Sequence, residues 1–205
     1  MRLSPRWVAI LAAAGTTSAF ASTTVYTDSV TFLSTLLAGS YTEGFTVATG
    51  GVYNSPLSFS GGDFSYQVST PTVAVGVYRS TTFLGNTYEA ESLTITFTGG
   101  GATAIGGNFY LTNQADAFQA QPVTLTLSDG TTSTFTPTSA SVGSYVGFVS
   151  TLPITSLVIS APALLQFNAL DNITVGVTSA VPEAGTLALM ALGMGWLVVR
   201  RRYGH

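Results

Sequence analysis

Most of the chain consists of short runs in which apolar and polar residues alternate. Leu93, Thr94, Ile95, Thr96 and Phe97 form one such run, and Val123, Thr124, Leu125, Thr126 and Leu127 form another. A period of two sends successive side chains to opposite faces of an extended segment, so each run predicts a half-buried strand. Further runs cover 24–27, 42–47, 57–60, 64–68, 105–111, 132–136, 145–149, 157–159, 165–167 and 173–175, and Val73, Val75 and Val77 share a face. Gly61, Gly62 and Asp63 separate two of the runs, and Asp129 and Gly130 separate two others. Both are hairpin signals, and the Asp-Gly pair is the clearer. Helical spacing occurs once near the start: Val30, Leu33, Leu36 and Leu37 follow Asp28 or Ser29 as N-cap and stop at Gly39, which predicts a helix over 29–38. Many short strands with Gly, Pro and Asp turns predict an all-β fold, a single β-sandwich of jelly-roll-like type with one short N-terminal helix.

The two ends depart from this pattern. Arg2 and Arg6 precede an apolar run from Trp7 to Ala14, and Ala19, Phe20 and Ala21 supply a small-x-small site, so residues 1–21 read as a signal peptide cut before Ser22. At the other end, Pro182 and Glu183 open a run without charge over 184–199, and Arg200, Arg201 and Arg202 close it. A helix over that run would be about 24 Å long at ~1.5 Å per residue, slightly short of a hydrocarbon core about 30 Å thick. The Arg cluster predicts a cytoplasmic C-terminus and a body on the far side of the membrane.

This three-part tail, 181–205, resembles the PEP-CTERM sorting signal of Gram-negative bacteria, although Ala184 stands where a second proline is usual. The resemblance implies processing by an exosortase-like membrane protease that cuts near Pro182 and Glu183. It also implies export, a transient inner-membrane anchor, and then release or transfer to the cell surface or extracellular matrix.

The chain as a whole carries a net charge of −3, but its charges are unevenly placed. Five of the six Arg lie in the two end segments, and Lys is absent. The body, 22–180, therefore keeps Arg79 against eight carboxylates, a net charge of −7. Such a body lacks the basic footprint that nucleic acid requires. It also has no Cys, and the single His is His205, which excludes disulfides, Cys or His metal sites and a Ser-His-Asp triad in the body. Any enzyme here would depend on carboxylates or Tyr.

Two carboxylate pairs are candidates for chemistry. Glu89 and Glu91 would face the same way in an extended stretch, the arrangement that raises one pKa for glycoside hydrolysis. Glu43, in the first strand after the helix, and Asp171, just before the last strand, would meet if those strands are neighbours. They could then hold a structural calcium. The resemblance of the body to jelly-roll carbohydrate-binding modules implies such an ion near the chain ends. Tyr53, Tyr66, Tyr78, Tyr88, Phe109, Tyr110 and Tyr145 are candidates for a sugar-stacking platform. These readings define a non-enzymatic envelope or biofilm-matrix protein, exopolysaccharide-binding, with no resident cofactor beyond that calcium. A secreted glycan hydrolase and a self-associating structural adhesin are the alternatives.

Overall fold

The computed structural model describes residues 22–179, apart from 48, 75 and 161–163. The predicted signal segment 1–21 and the tail 181–205, including its apolar run 184–199, lie outside the described residues. In chain order the elements are β1 (Thr23–Tyr26), α1 (Ser29–Ser34), β2 (Tyr41–Glu43), β3 (Gly51–Tyr53), β4 (Leu57–Gly61), β5 (Phe64–Ser69), β6 (Val77–Arg79), β7 (Leu84–Asn86) and β8 (Leu93–Gly99). They continue with β9 (Ala104–Thr112), β10 (Phe118–Gln119), β11 (Val123–Leu127), β12 (Thr132–Phe135), β13 (Tyr145–Ser150), β14 (Ser156–Ser160) and β15 (Phe167–Gly176).

All pairings between these strands are antiparallel, and they form two sheets. The nine-stranded sheet runs β1-β13-β9-β15-β7-β6-β3, with β10 also on β9 and β2 also on β15; the six-stranded sheet runs β12-β11-β14-β8-β5-β4. The sheets share one apolar core. Tyr66, Leu93, Ile95, Leu125 and Ile159 enter it from the six-stranded sheet, and Ile105, Phe109, Phe148, Leu170 and Val175 from the nine-stranded one. This is a sandwich of two antiparallel sheets with almost no helix.

The Asp-Gly hairpin forms as the sequence predicts. Gly130 takes a positive φ of 88° between β11 and β12, and Asp129 Oδ1 accepts the Thr131 N–H at 2.8 Å. A left-handed residue is needed at that turn, and Gly adopts the conformation without a Cβ clash.

Elsewhere the structure corrects the local reading. The helix stops at Ser34, four residues earlier than predicted, because the chain turns there to meet the end of the sandwich. Leu36 bridges Thr178, and the Leu37 N–H donates to Val177 O at 2.9 Å. Phe32, absent from the predicted Val/Leu stripe, is the residue the helix buries. Its ring lies over Gly106 and Gly147, where an added Cβ would come within 3.0 Å and 2.5 Å of it, so these two glycines let the helix sit directly on β9 and β13. The strand predicted over 42–47 ends at Glu43. Phe45 turns to φ 50° and enters the core. Val73 lies outside any strand and is exposed, whereas Val77 opens β6 and is buried; Val75 lies outside the described residues. The last two predicted strands are one: β15 runs on from Phe167 to Gly176, with a register shift between Asp171 and Thr174 and a positive φ at Asn172.

Candidate ligand-binding cleft

The nine-stranded sheet is covered on its outer face as well as its inner one. Every residue of β9 is buried. Part of the cover is a small cluster of Phe83, Tyr110 and Ala169, with Tyr78, Phe118 and Ala140 packed against it. The rings of Tyr78 and Phe83 meet edge to face at 6.0 Å, as do those of Phe83 and Tyr110. Beside this cluster, where β7 and the start of β15 meet the loop after β9, lies a cleft of about 250 Å³. Tyr78, Phe83 and Phe167 supply its apolar surface. Asn86, Thr87, Thr112, Asn113, Gln114, Asp116 and Asn168 supply its polar groups. A second hollow of about 460 Å³ adjoins it and shares Asn113, Gln114 and Phe167, with Glu89 and Leu165 on its far side.

Beneath the cleft, two strands remote in sequence are tied together by buried polar side chains. Asn168 is fully buried on β15. Its N–H donates to Asn86 Oδ1 at 2.6 Å, and its Nδ2 donates to Glu91 O at 2.8 Å. Asn86, on β7 and 2% exposed, donates its Nδ2 to Tyr88 O and to Glu91 O. Among the described residues, Asn168 Oδ1 and Thr87 Oγ1 are buried and have no hydrogen-bond partner; the Asn168 side chain lies on the core face, opposite Leu111 and with its Nδ2 3.4 Å from Ile159 O of the facing sheet, and not in the cleft. Glu91 Oε2 and Gln166 Oε1 just behind them have none either. Buried polar atoms are nearly always paired, because an unpaired one costs about 1–3 kcal/mol. These four atoms are enclosed beneath the cleft, not exposed in it.

The rim is pre-set by its own hydrogen bonds. Asn113 Oδ1 accepts the N–H groups of Ala115 and Ala117 at 2.9 and 3.1 Å, which folds the loop after β9 into a compact turn with Asp116 at φ 59°. Asp116 Oδ2 accepts the Tyr78 hydroxyl at 2.7 Å; that hydrogen bond, with some burial, raises the Tyr78 pKa. Burial, and then the charge of Asp171, raises that of Tyr110 beneath the rim. The described residues contain no His, Cys or Lys, so the groups at hand are amides, hydroxyls, aromatic rings and the carboxylates Asp116 and Glu89. Such a set donates and accepts neutral hydrogen bonds and offers ring faces, the usual equipment of a site for a polar, uncharged ligand.

Of the residues singled out by sequence, Tyr78 lines the cleft and Glu89 the adjoining hollow, and the others fall elsewhere. β2 does pair with β15, so the first strand after the helix and the last strand are neighbours, with Glu43 opposite Ile173. The carboxylates are nevertheless not brought together. Asp171 pairs with Asn108 on the outer face shared with Tyr110, whereas Glu43 sits on the core side with Ile173, since the shift at Asn172 reverses the alternation between them. Each is already engaged close to its own backbone. Glu43 accepts the Tyr41 hydroxyl at 2.5 Å and the Phe45 N–H at 2.8 Å, and Asp171 accepts the Asn172 N–H at 2.7 Å. Burial, followed by the hydrogen bond to Glu43, pushes Tyr41 up to about 12; burial raises the Asp171 carboxyl above the usual range. Among the described residues, no group of three or more His, Cys, Asp or Glu is placed to hold a metal ion.

Glu89 and Glu91 also diverge. Ala90 between them is at φ 58°, so the stretch is not extended. Glu89 reaches out to accept the Leu165 N–H, while Glu91 turns inward to the Thr72 hydroxyl. Of the candidate platform rings, Tyr66 and Phe109 are core, Tyr110 is buried in the outer cluster, and Tyr145 is half-buried with an enclosed, unpartnered hydroxyl. Tyr53 and Tyr88 are exposed, and of the set Tyr78 alone lines the cleft. Sequence reasoning passed over Asn86, Asn168 and the loop 113–117. The available signal was a lone Asn inside an apolar run, as at Asn86 after Leu84 and Asn168 before Ala169.

At the N-terminal end, Thr23 opens β1 one residue after the predicted cut, and Ser22 donates its N–H to Thr151 Oγ1 at 3.1 Å. The described body is thus an all-β sandwich with a polar, aromatic-edged cleft on one covered sheet. Beyond it, residues 180–202 match the family model of the PEP-CTERM protein-sorting motif. The chain carries that C-terminal sorting signal, which implies export and processing by exosortase, a membrane protein. No curated protein and no solved structure matches the chain.

Proposed function

We propose that the body is a non-enzymatic envelope or biofilm-matrix module that binds exopolysaccharide in the cleft of the nine-stranded sheet. In this reading the signal peptide exports it, and exosortase processes the tail at Pro182 and Glu183 to deliver it to the cell surface. The observation that carries the binding role is the cleft lining itself, the polar side chains of Thr112, Asn113, Gln114 and Asp116 beside the rings of Tyr78, Phe83 and Phe167. Sugar hydroxyls exchange hydrogen bonds with such amide, hydroxyl and carboxylate groups, while the C–H face of the sugar packs on a ring. Glu43 and Asp171 face opposite sides of their sheet, so this pair does not form a shared calcium site in this reading.

The hydrolase alternative retains one supporting feature, now on different residues: Asp116 and Glu89 stand on the two adjoining hollows. Both are already held, by the Tyr78 hydroxyl and the Leu165 N–H, which favours a rim over a catalytic pair. The test is co-sedimentation of the full chain with the host's own exopolysaccharide, followed by sizing of the polymer. Binding that survives a chelator, falls in Gln114→Ala and Tyr78→Phe, and leaves the polymer length unchanged is the expected result. Shortening of the polymer that is lost in Asp116→Asn would replace the module with the hydrolase. Undiminished binding in both cleft variants would remove the cleft from the function.

A further inference from the structure

The helix predicted to bury a Val/Leu stripe buries Phe32 instead and leaves the stripe, apart from the half-buried Leu36, in solvent. Val30 is 74% exposed, Leu33 45% and Leu37 49%. The polar side chains of the same segment are turned onto their own backbone or neighbours. The Thr31 hydroxyl donates to Asp28 Oδ1 at 2.8 Å, that of Ser34 to Thr31 O at 2.7 Å, and that of Thr35 to Phe32 O at 2.7 Å. With its hydroxyls satisfied locally, this surface presents chiefly aliphatic groups.

Its position relative to the tail gives it an occupant. The Leu37 N–H donates to Val177 O, and Leu36 bridges Thr178, so the apolar segment is fastened to the strand end from which the chain departs. From Ser179, the last described residue, to the start of the uncharged run at 184 there are five residues. At most about 3.3–3.6 Å per residue, they span roughly 18 Å. Wherever the uncharged run enters a bilayer, Ser179, next to the Thr178 that Leu36 bridges, is held within about that distance of the surface.

We propose that α1 and the turn after it form a lipid-facing pad on which the body rests, at the neutral headgroup surface of the bilayer that holds its own tail. The proposal rests on the reading of the tail as a membrane-embedded sorting signal. The body's single cation, Arg79, lies on β6 near the opposite edge of the sheet from β1, and Asp28 caps the helix. Attraction to the bilayer is therefore apolar and gains nothing from anionic lipid. Held in this way, the sorting site at Pro182 and Glu183 stays at the membrane surface, where a membrane protease works.

The chain has no Cys, so single-cysteine labelling needs no background removal. The full chain carrying Val30→Cys, labelled with a polarity-sensitive fluorophore, is reconstituted into phosphatidylcholine vesicles. Val73→Cys, which is 67% exposed near the opposite edge of the same sheet, serves as the reference. The expected result is a blue shift at position 30, with quenching by brominated acyl chains, and neither effect at position 73. Leu33→Asp should abolish both effects while the protein still floats with the vesicles. Flotation with a watery probe at position 30 would overturn the pad. A blue shift without lipid quenching would overturn it too, because a protein segment would then cover the helix. Failure of the unlabelled chain to float would remove the membrane reading of the tail, and the pad with it.

Discussion

In the six-stranded sheet, β5, β11 and β14 alternate strictly between buried and half-buried positions, and the outward ones are mostly Ser and Thr. In the nine-stranded sheet, β9 is buried at every position, and most of β15 is buried as well. The difference comes from what lies on the outer faces. Among the described residues, the outer face of the first sheet is mostly Ser and Thr, with Gln67 and Val158 among them. Outside the second are α1, the Phe83/Tyr110/Ala169 cluster, and the stretch around Ser141 and Ser144, whose oxygens take both hydrogen bonds from Asn108 Nδ2. A sheet wetted on one side needs only alternation to fold. A sheet covered on both sides must satisfy polar groups from several segments at once, and beside the cover, at the loop after β9, a polar cleft remains. The simple sheet supplies the scaffold, and the covered one supplies the site.

The comparison can be broken by substitutions matched across the two outer faces. Tyr110→Ala, on the covered face, should cost about 3–5 kcal/mol, as for other buried aromatics, whereas Thr126→Ala on the wetted face should stay within about 0.5 kcal/mol. Urea unfolding of the two variants decides it, and equal losses would mean that the outer faces do not differ. Next in size is a matched pair of glycines. An added Cβ at Gly147 meets the Phe32 ring at 2.5 Å, so Gly147→Ala should cost about 1–3 kcal/mol. At Gly99 in the six-stranded sheet, the nearest atom to an added Cβ is at 3.8 Å, so Gly99→Ala should leave the thermal midpoint nearly unchanged.

Two smaller effects depend on pH. The Asp28 carboxyl is held low by the Thr31 N–H and then by the Thr31 hydroxyl. A depressed carboxyl pKa stabilises the fold above the unfolded value, about 3.9, and that gain is lost as pH falls through the folded value. Asp28→Ala should therefore lower the thermal midpoint at pH 7 but not near pH 2, and Asp28→Ser should restore much of the loss by capping α1. Asp171 has the opposite sign, because burial raises its carboxyl. The folded state holds this proton more tightly, so stability falls as pH rises from the unfolded value toward the folded one. Asp171→Asn should raise the midpoint slightly at pH 7 and leave it unchanged below about pH 3. A variant less stable at pH 7 would show that the ionised carboxylate has a favourable partner.

The contrast between the sheets also explains which residues were legible in advance. Leu93 to Phe97 and Val123 to Leu127 could be read because one side of each strand faces water and the other the core, so the pattern in the chain is the pattern of the fold. Asp129 and Gly130 could be read because turn chemistry is local. The two strands predicted around Asp171 proved to be one strand with a shifted register. Asn172 takes a conformation that only the pairing with β9 demands, and that single residue moves Asp171 away from Glu43. The cleft was illegible for a related reason. Asn168 and Asn86, which are tied together beneath it, are 82 residues apart and meet only when β7 and β15 pair.

By itself, then, the sequence determined the all-β class, the short helix near the start and the sorting signal at residues 180–202. It also determined the absence of thiol and imidazole chemistry from the body. These depend on periodicity over a few residues, on composition, or on a linear motif. Tertiary structure alone decided which face of α1 is buried, on which side of the sheet each carboxylate lies, and where polar atoms are left without partners. Those outcomes depend on which distant segments pack together, and a side chain's burial or pairing is a property of that packing, not of its neighbours along the chain.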